Sequence, residues 1–254
     1  MKPQTIMTAV VALLSLAIFA WPLLISTDAA SESGVAQTAF LILIPVLLAL
    51  ILSGYGSGAL DSRQIALLGV LTAVNSVIRM LGAGLAGVET VFFLLIIAGF
   101  VFRASFGFLL GASTLLVSGL LSGGVGPWLP FQMLAAGLVG FCAGLLPRTR
   151  NRRLGLAILS IYAVVAAYAY GGLMTLWNWP YLAGIGTQLS YQSGAGILTN
   201  LARFLNFEIA TGGLLWDTGR AITTVVLLLL TAPTLLTTLE REARRASFQK
   251  VERA

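Results

Sequence analysis

Long apolar runs, separated by short polar or glycine-rich stretches, set the architecture that this chain can adopt. Eight runs are candidates for membrane spans: residues 5–26, 36–54, 63–82, 89–102, 104–121, 130–147, 154–173 and 217–239. About 20 apolar residues cross a ~30 Å hydrocarbon core as a helix, which satisfies its own backbone hydrogen bonds. The run at 89–102 is the shortest, and its 14 residues rise only about 21 Å. Arg103 separates it from the next run, so these two are expected to form a short, tilted hairpin. The pattern predicts an all-α polytopic membrane protein.

Composition sharpens this picture. Hydrophobic residues make up 58% of the 254 positions and charged residues only 9%, with a mean hydropathy of +0.95. An ordinary soluble domain carries about 25% charged residues. Lys2 is the only early charge, and the run at 5–26 exceeds a signal-peptide core with no small-residue cleavage pattern after it, so a retained span is expected.

The placement of charge predicts orientation. With the N-terminus inside, alternating spans put Lys2, Arg63, Arg103, the cluster Arg148, Arg150, Arg152 and Arg153, and the basic tail on the cytoplasmic side. That is 12 of the 15 basic residues. Asp28, Glu32, Glu89, Glu208 and the neutral 122–129 loop fall outside, and Arg79, Arg203 and Arg220 are the exceptions. Positive residues are retained in the cytoplasm, so both termini are expected there, in the cell membrane. No soluble basic domain exists to hold nucleic acid. Residues 241–254 read as a solvated cytoplasmic tail.

Three segments offer chemistry. The stretch Gly123-Gly124-Val125-Gly126-Pro127-Trp128-Leu129-Pro130-Phe131-Gln132-Met133 is rigid, aromatic and uncharged. Its prolines fix backbone angles, its rings give flat faces, and Gln132 both donates and accepts hydrogen bonds. It reads as a binding wall, with interfacial anchoring of Trp128 as the plainer account. Asn75 and Arg79 share a face near the outer end of the third run. Arg79 either snorkels or anchors an acid, which would be Glu89 or an anionic part of a ligand. Asp217 stands where the last run begins and suits a helix N-cap, with Arg220 three residues on as its partner. The functional version is a buried Asp217–Arg220 pair closing a pocket floor.

Residues 174–216 are too polar and glycine-rich for a span, yet they hold Trp177, Trp179, Tyr181, Tyr191, Phe204 and Phe207. They are expected to form an ordered extracellular lid with short amphipathic pieces near Leu198–Phe207. On the third run Ala66, Gly69 and Ala73 share one face, small enough for close helix approach, either within the fold or to another subunit.

Several classes are excluded. Histidine is absent and Cys142 is the only cysteine, so His-based metal sites, Ser–His triads and internal disulfides are ruled out. Lysine occurs only at positions 2 and 250, which leaves no Gly-Lys-Ser/Thr nucleotide loop. No span interior is expected to hold an acid, and no nucleophile–base pair is apparent. The chain reads as no enzyme, with no cofactor and no metal.

The face Ala66/Gly69/Ala73, the Gly-Pro-Trp-Leu-Pro-Phe-Gln-Met loop and the Trp-Asp-x-x-Arg-Ala-Ile start of the last helix resemble the S-component of energy-coupling factor (ECF) vitamin transporters. The similarity covers roughly residues 60–240. It implies a six-helix substrate-binding core over 59–240, preceded by two additional helices within 1–58. It implies a vitamin-like small-molecule ligand taken from outside, and docking on a transmembrane coupling (T) subunit driven by two ATPase subunits. Ala66, Gly69 and Ala73 would meet the coupling subunit. The loop and tail look most like a cobalamin-type branch. On this reading Trp128, Phe131, Trp177, Tyr191 and Trp216 form an aromatic cup, and Asn75, Gln132 and Asn200 orient the ligand. The competing reading is a secondary transporter or channel for a small organic solute.

Overall fold

The apolar runs form helices, with ends moved by local chemistry. The computed structural model describes residues 3–24, 38, 41–49, 62–82, 87–149, 151–182 and 187–245. Helices α1 (Pro3–Phe19) and α2 (Trp21–Leu24) come first, and residues 41–49 are helical as well. Then follow α3 (Ser62–Gly82), α4 (Val91–Phe102), α5 (Ala104–Ser122) and α6 (Leu129–Ala143). The last three are α7 (Arg152–Leu182), α8 (Ile197–Ala210) and α9 (Gly213–Arg245). Most of the second expected span lies outside the described residues, as do Lys2, Asp28, Glu32, Asp61, Arg150 and the tail beyond Arg245.

Among the described residues, four helices are long and apolar enough to cross a membrane: α3, α5, α7 and α9. Helices α4 and α6, and the Val10–Phe19 part of α1, are apolar but shorter. The first expected span is interrupted at Ala20. Pro22 has no N–H and its ring collides with the carbonyl four residues back, so α1 stops and α2 restarts the turn.

Helix α4 is apolar all round, and all 12 of its residues are buried. Such a helix belongs inside a bundle; α3, α5, α6, α7 and α9 surround it. Its rise of about 18 Å falls short of a bilayer core, but protein rather than lipid covers it. The expected hairpin is present: α4 turns into α5 at Arg103, whose φ is 85°.

Close helix contacts are made by glycines other than those the sequence singled out. A Cβ at Gly107 would overlap the carbonyl oxygen of Gly140, and one at Gly140 would overlap that of Gly107. Gly111 meets the Ala136 carbonyl in the same way, and Gly99 meets Gly140. Thus α4, α5 and α6 touch backbone to backbone, which maximises dispersion contacts where no hydrophobic force drives association. By contrast Ala66, Gly69 and Ala73 are exposed, and nothing lies within 4 Å of a Cβ built at Gly69. Among the described residues, nothing packs closely on Gly69.

Arginines tie one end of the bundle together. Arg148 donates to the Phe100 and Val101 carbonyls at 2.8 and 2.7 Å, satisfying the open C-terminus of α4. Arg63 donates to the Arg245 carbonyl at 3.0 Å, and Arg152 to that of Pro233. The start of α3, the end of α4, the start of α7 and the end of α9 therefore share one end, as the alternation of charge predicts.

The expected 174–216 lid is mostly helical instead. Helix α7 continues to Leu182, α8 fills 197–210, and α9 begins four residues before Asp217. The amphipathic piece near Leu198–Phe207 lies in α8. Phe204 and Phe207 pack on Trp179, whose ring also meets Tyr191 edge-on at 5.8 Å.

Gly140→Leu should drive a side chain into the α5 backbone and lower stability by about 1–3 kcal/mol or more. Gly69→Leu should leave thermal unfolding of the detergent-solubilised protein unchanged. Equal melting temperatures for the two variants would contradict this packing.

Candidate functional site

A cavity of about 220 Å³ opens at the end of the bundle away from the arginine-tied end. Helix α3 contributes Arg79, the segment entering α4 contributes Glu89, Thr90 and Val91, and α6 contributes Gln132. Tyr170 and Met174 come from α7, and Arg220 from α9. The space lies where the segment entering α4 meets the last turn of α3, the first turn of α6 and the longer helices α7 and α9.

Each polar group is held by its local structure. Arg79 stands in the last turn of α3, where a cation suits the negative end of the helix dipole. It is half-buried and donates to the Ser118 hydroxyl at 3.2 Å. Glu89 lies just before α4, where a carboxylate suits the positive end. The Thr90 hydroxyl donates to the Ile78 carbonyl, which pins this segment to α3. Gln132 falls in the first turn of α6, after Pro130 has set the helical φ.

Arg220 is the hub. Its Nε and Nη2 donate to the two oxygens of Glu89, each at 3.0 Å. Its Nη1 donates to Asp217 Oδ1 and, at 3.2 Å, to the Ala167 carbonyl of α7. The guanidinium carbon sits 5.1 Å from the Tyr170 ring centroid, a cation–π geometry. Arg220 is 5% exposed and Asp217 4%, whereas the Glu89 side chain is 27% exposed and borders the cavity. A Cβ at Gly171 would overlap the Asp217 carboxylate, so glycine there is what lets α9 lay that acid against α7.

This arrangement corrects three expectations. Asp217 is not the N-cap of the last helix: α9 starts at Gly213, so Asp217 lies in its second turn and faces inward. An acid therefore does stand inside a long apolar helix. Arg79 does not pair with Glu89, whose oxygens are taken by Arg220.

The expected aromatic cup is not assembled. Phe131 and Trp177 stack on each other at 3.9 Å with planes 5° apart, and both are buried in the core. Phe19 meets Phe131 edge-on at 5.7 Å, and the Trp21 indole donates to the Trp177 carbonyl at 3.1 Å. These rings therefore hold the N-terminal helices. Trp128 is 45% exposed and covers Gly126, while Trp216 is 44% exposed. Tyr191 belongs to the Trp179 cluster. Asn200 staples its own loop, accepting from the Gln192 N–H at 3.1 Å and donating to the Gln192 carbonyl at 3.0 Å. Asn75 is fully buried and donates to Thr114 Oγ1 at 3.4 Å, an interhelical contact.

Four expected residues, Arg79, Glu89, Gln132 and Arg220, line the cavity, and Asp217 stands directly behind it. Sequence reasoning missed Thr90, Val91, Tyr170 and Met174. Tyr170 and Met174 are four residues apart on one helix face, a signal that the expected lid boundary at Met174 obscures.

The described residues thus define a helical protein with helices able to span a bilayer and a small polar cavity among them. Comparison with family models, with curated proteins and with solved structures finds no match. Among the described residues, no group of three metal-binding side chains occurs.

Removing Arg220 strands two carboxylates, one of them fully enclosed. Arg220→Ala should therefore cost about 3 kcal/mol or more of stability. Restoring neutrality in Glu89→Gln/Asp217→Asn/Arg220→Met should recover part of that loss. Chemical unfolding in micelles measures both; a triple variant no better than the single one would contradict the charge account.

Proposed function

We propose that this chain is the solute-binding membrane subunit of an ATP-driven importer, with both termini in the cytoplasm of a cell bounded by the membrane it spans. The observation behind this reading is the polar cavity at the bundle end opposite Arg63, Arg148 and Arg152, the end that the positive-inside rule assigns to the outside. Concave sites with a few convergent polar groups between helices are where small ligands bind. The resemblance to ECF S-components supplies the partners: a transmembrane coupling subunit and two ATPase subunits. The exposed face of Ala66, Gly69 and Ala73 supports a docking role, since it is small, apolar and unoccupied within the fold. The chain's lack of a phosphate-binding lysine loop supports dependence on another subunit for energy.

Cavity size narrows the cargo. At about 220 Å³ it falls below the roughly 300–1,000 Å³ of sites that enclose drug-sized ligands. A corrinoid does not fit it in this conformation, so a small vitamin-like molecule is the better candidate.

A second reading, a secondary transporter for a small organic solute, is favoured by the buried Glu89–Arg220–Asp217 cluster. Ionisable groups within membrane helices commonly mark substrate or proton pathways. The two differ in energy source. The tagged chain purified from its native membranes should bring a multi-pass subunit and ABC-type ATPases with it, and the assembly should hydrolyse ATP. Gly69→Leu should abolish this association without lowering the melting temperature. Vesicles holding the chain alone that accumulate solute without ATP would instead establish the secondary transporter.

A further inference from the structure

Two cavity side chains have unused hydrogen-bonding capacity, and their chemistry identifies a ligand class. Arg79 offers five N–H donors and uses one, to the neutral Ser118 hydroxyl. Among the described residues no carboxylate lies within 4 Å of it. The α3 dipole offsets part of its charge but fills none of the remaining donors. The Gln132 backbone N–H donates to the Trp128 carbonyl at 2.9 Å, but its side-chain amide has no hydrogen-bond partner among the described residues, though it borders the same space. Arg220 differs: four of its five donors already serve Glu89, Asp217 and Ala167. It holds Glu89 in place and has little left for a ligand.

Glu89 supplies the opposite pole. Each of its oxygens accepts one bond from Arg220, which leaves further acceptor capacity on a carboxylate that lines the cavity. Arg79 and Arg220 balance Glu89 and Asp217, so the site is neutral overall yet strongly polarised. Arg79 forms a positive pole, and the Glu89–Arg220–Asp217 cluster carries one net negative charge. A purely anionic or purely cationic guest would leave one pole unmatched in a low-dielectric surrounding. A dipolar guest satisfies both.

Resting on the solute-binding reading above, we propose that the cavity takes a small dipolar carboxylic acid, one that carries an N–H donor group away from its carboxylate. The carboxylate lies against the Arg79 fork, the Gln132 amide donates to it, and the N–H or ammonium group points to Glu89. Val91 and Met174 pack on the carbon skeleton between the poles. A fork-shaped guanidinium suits a planar carboxylate better than a lysine would, because two parallel bonds form.

Full-length protein in nanodiscs, dialysed free of ligand, provides the test with three probes of one length: 5-aminopentanoate, pentanoate and pentylamine. 5-Aminopentanoate should raise the melting temperature most, pentanoate less, and pentylamine not at all. Arg79→Gln should weaken 5-aminopentanoate binding at least about tenfold, the scale of one lost charge-assisted pair, and Arg79→Lys should restore part of it. Gln132→Ala, which touches no other side chain by hydrogen bond, should weaken it without lowering the unliganded melting temperature. Equal shifts with all three probes, no shift with any, or a shift that survives Arg79→Gln would each overturn the proposal. Co-purification of ATPases separates the two readings: the importer reading survives a failed probe set if those subunits are present, and the ligand class survives their absence if the probes rank as stated.

Discussion

The site depends on one buried guanidinium. Arg220 connects the segment before α4, the middle of α7 and the second turn of α9, three parts of the chain that are distant in sequence. Burying this many charges is costly, and a hydrophobic replacement of similar shape is often as stable. A cluster retained at such cost fixes geometry: it holds the Glu89 carboxylate at one rim of the cavity, and the Tyr170 ring flat beneath the guanidinium. The Thr90–Ile78 bond adds a second tie between the segment entering α4 and α3.

Backbone packing supplies the frame within which that cluster works. Gly99, Gly107, Gly111 and Gly140 bring α4, α5 and α6 to contact distance, so the centre of the bundle is thin and rigid. The polar cavity opens at the start of α4, beyond these contacts. It is lined with what the neighbouring helices present there: Arg79 at the end of α3, Gln132 at the start of α6, Tyr170 and Met174 on α7.

Much of this was legible along the chain, and the failures have physical causes. Runs of apolar residues located α3, α4, α5 and α6 to within a few residues, because bilayer-length hydrophobicity leaves few alternatives. Charge alternation put Arg63, Arg148 and Arg245 at one end, and the contacts among α3, α4, α7 and α9 agree. The pairing of Asp217 with Arg220 followed from their spacing of three residues. Its depth did not, because the helix start depends on Gly212 and Gly213 permitting a turn that spacing alone does not reveal. The glycine contacts were also hidden. In a chain with 28 glycines, the sequence gives no means of telling a buried Gly140 from an exposed Gly69.

The aromatic residues show why composition does not reveal which rings border a cavity. Rings in a loop beside an apolar run read equally as a binding wall, an interfacial anchor or core, and only the tertiary partner distinguishes these. Phe131 and Trp177 stack on each other because α6 and α7 pack side by side, and Phe19 and Trp21 then seat α1 and α2 against that pair. Rings consumed in this way cannot also line a cavity. What remains at the α4 end is polar, and in a low-dielectric setting a few fixed charges discriminate among guests more sharply than aromatic area does. The two N-terminal helices thereby acquire a structural role next to the site. They brace the α6–α7 contact one residue from Gln132 and three from Met174, so the position of both cavity side chains is tied to how firmly α1 and α2 are docked.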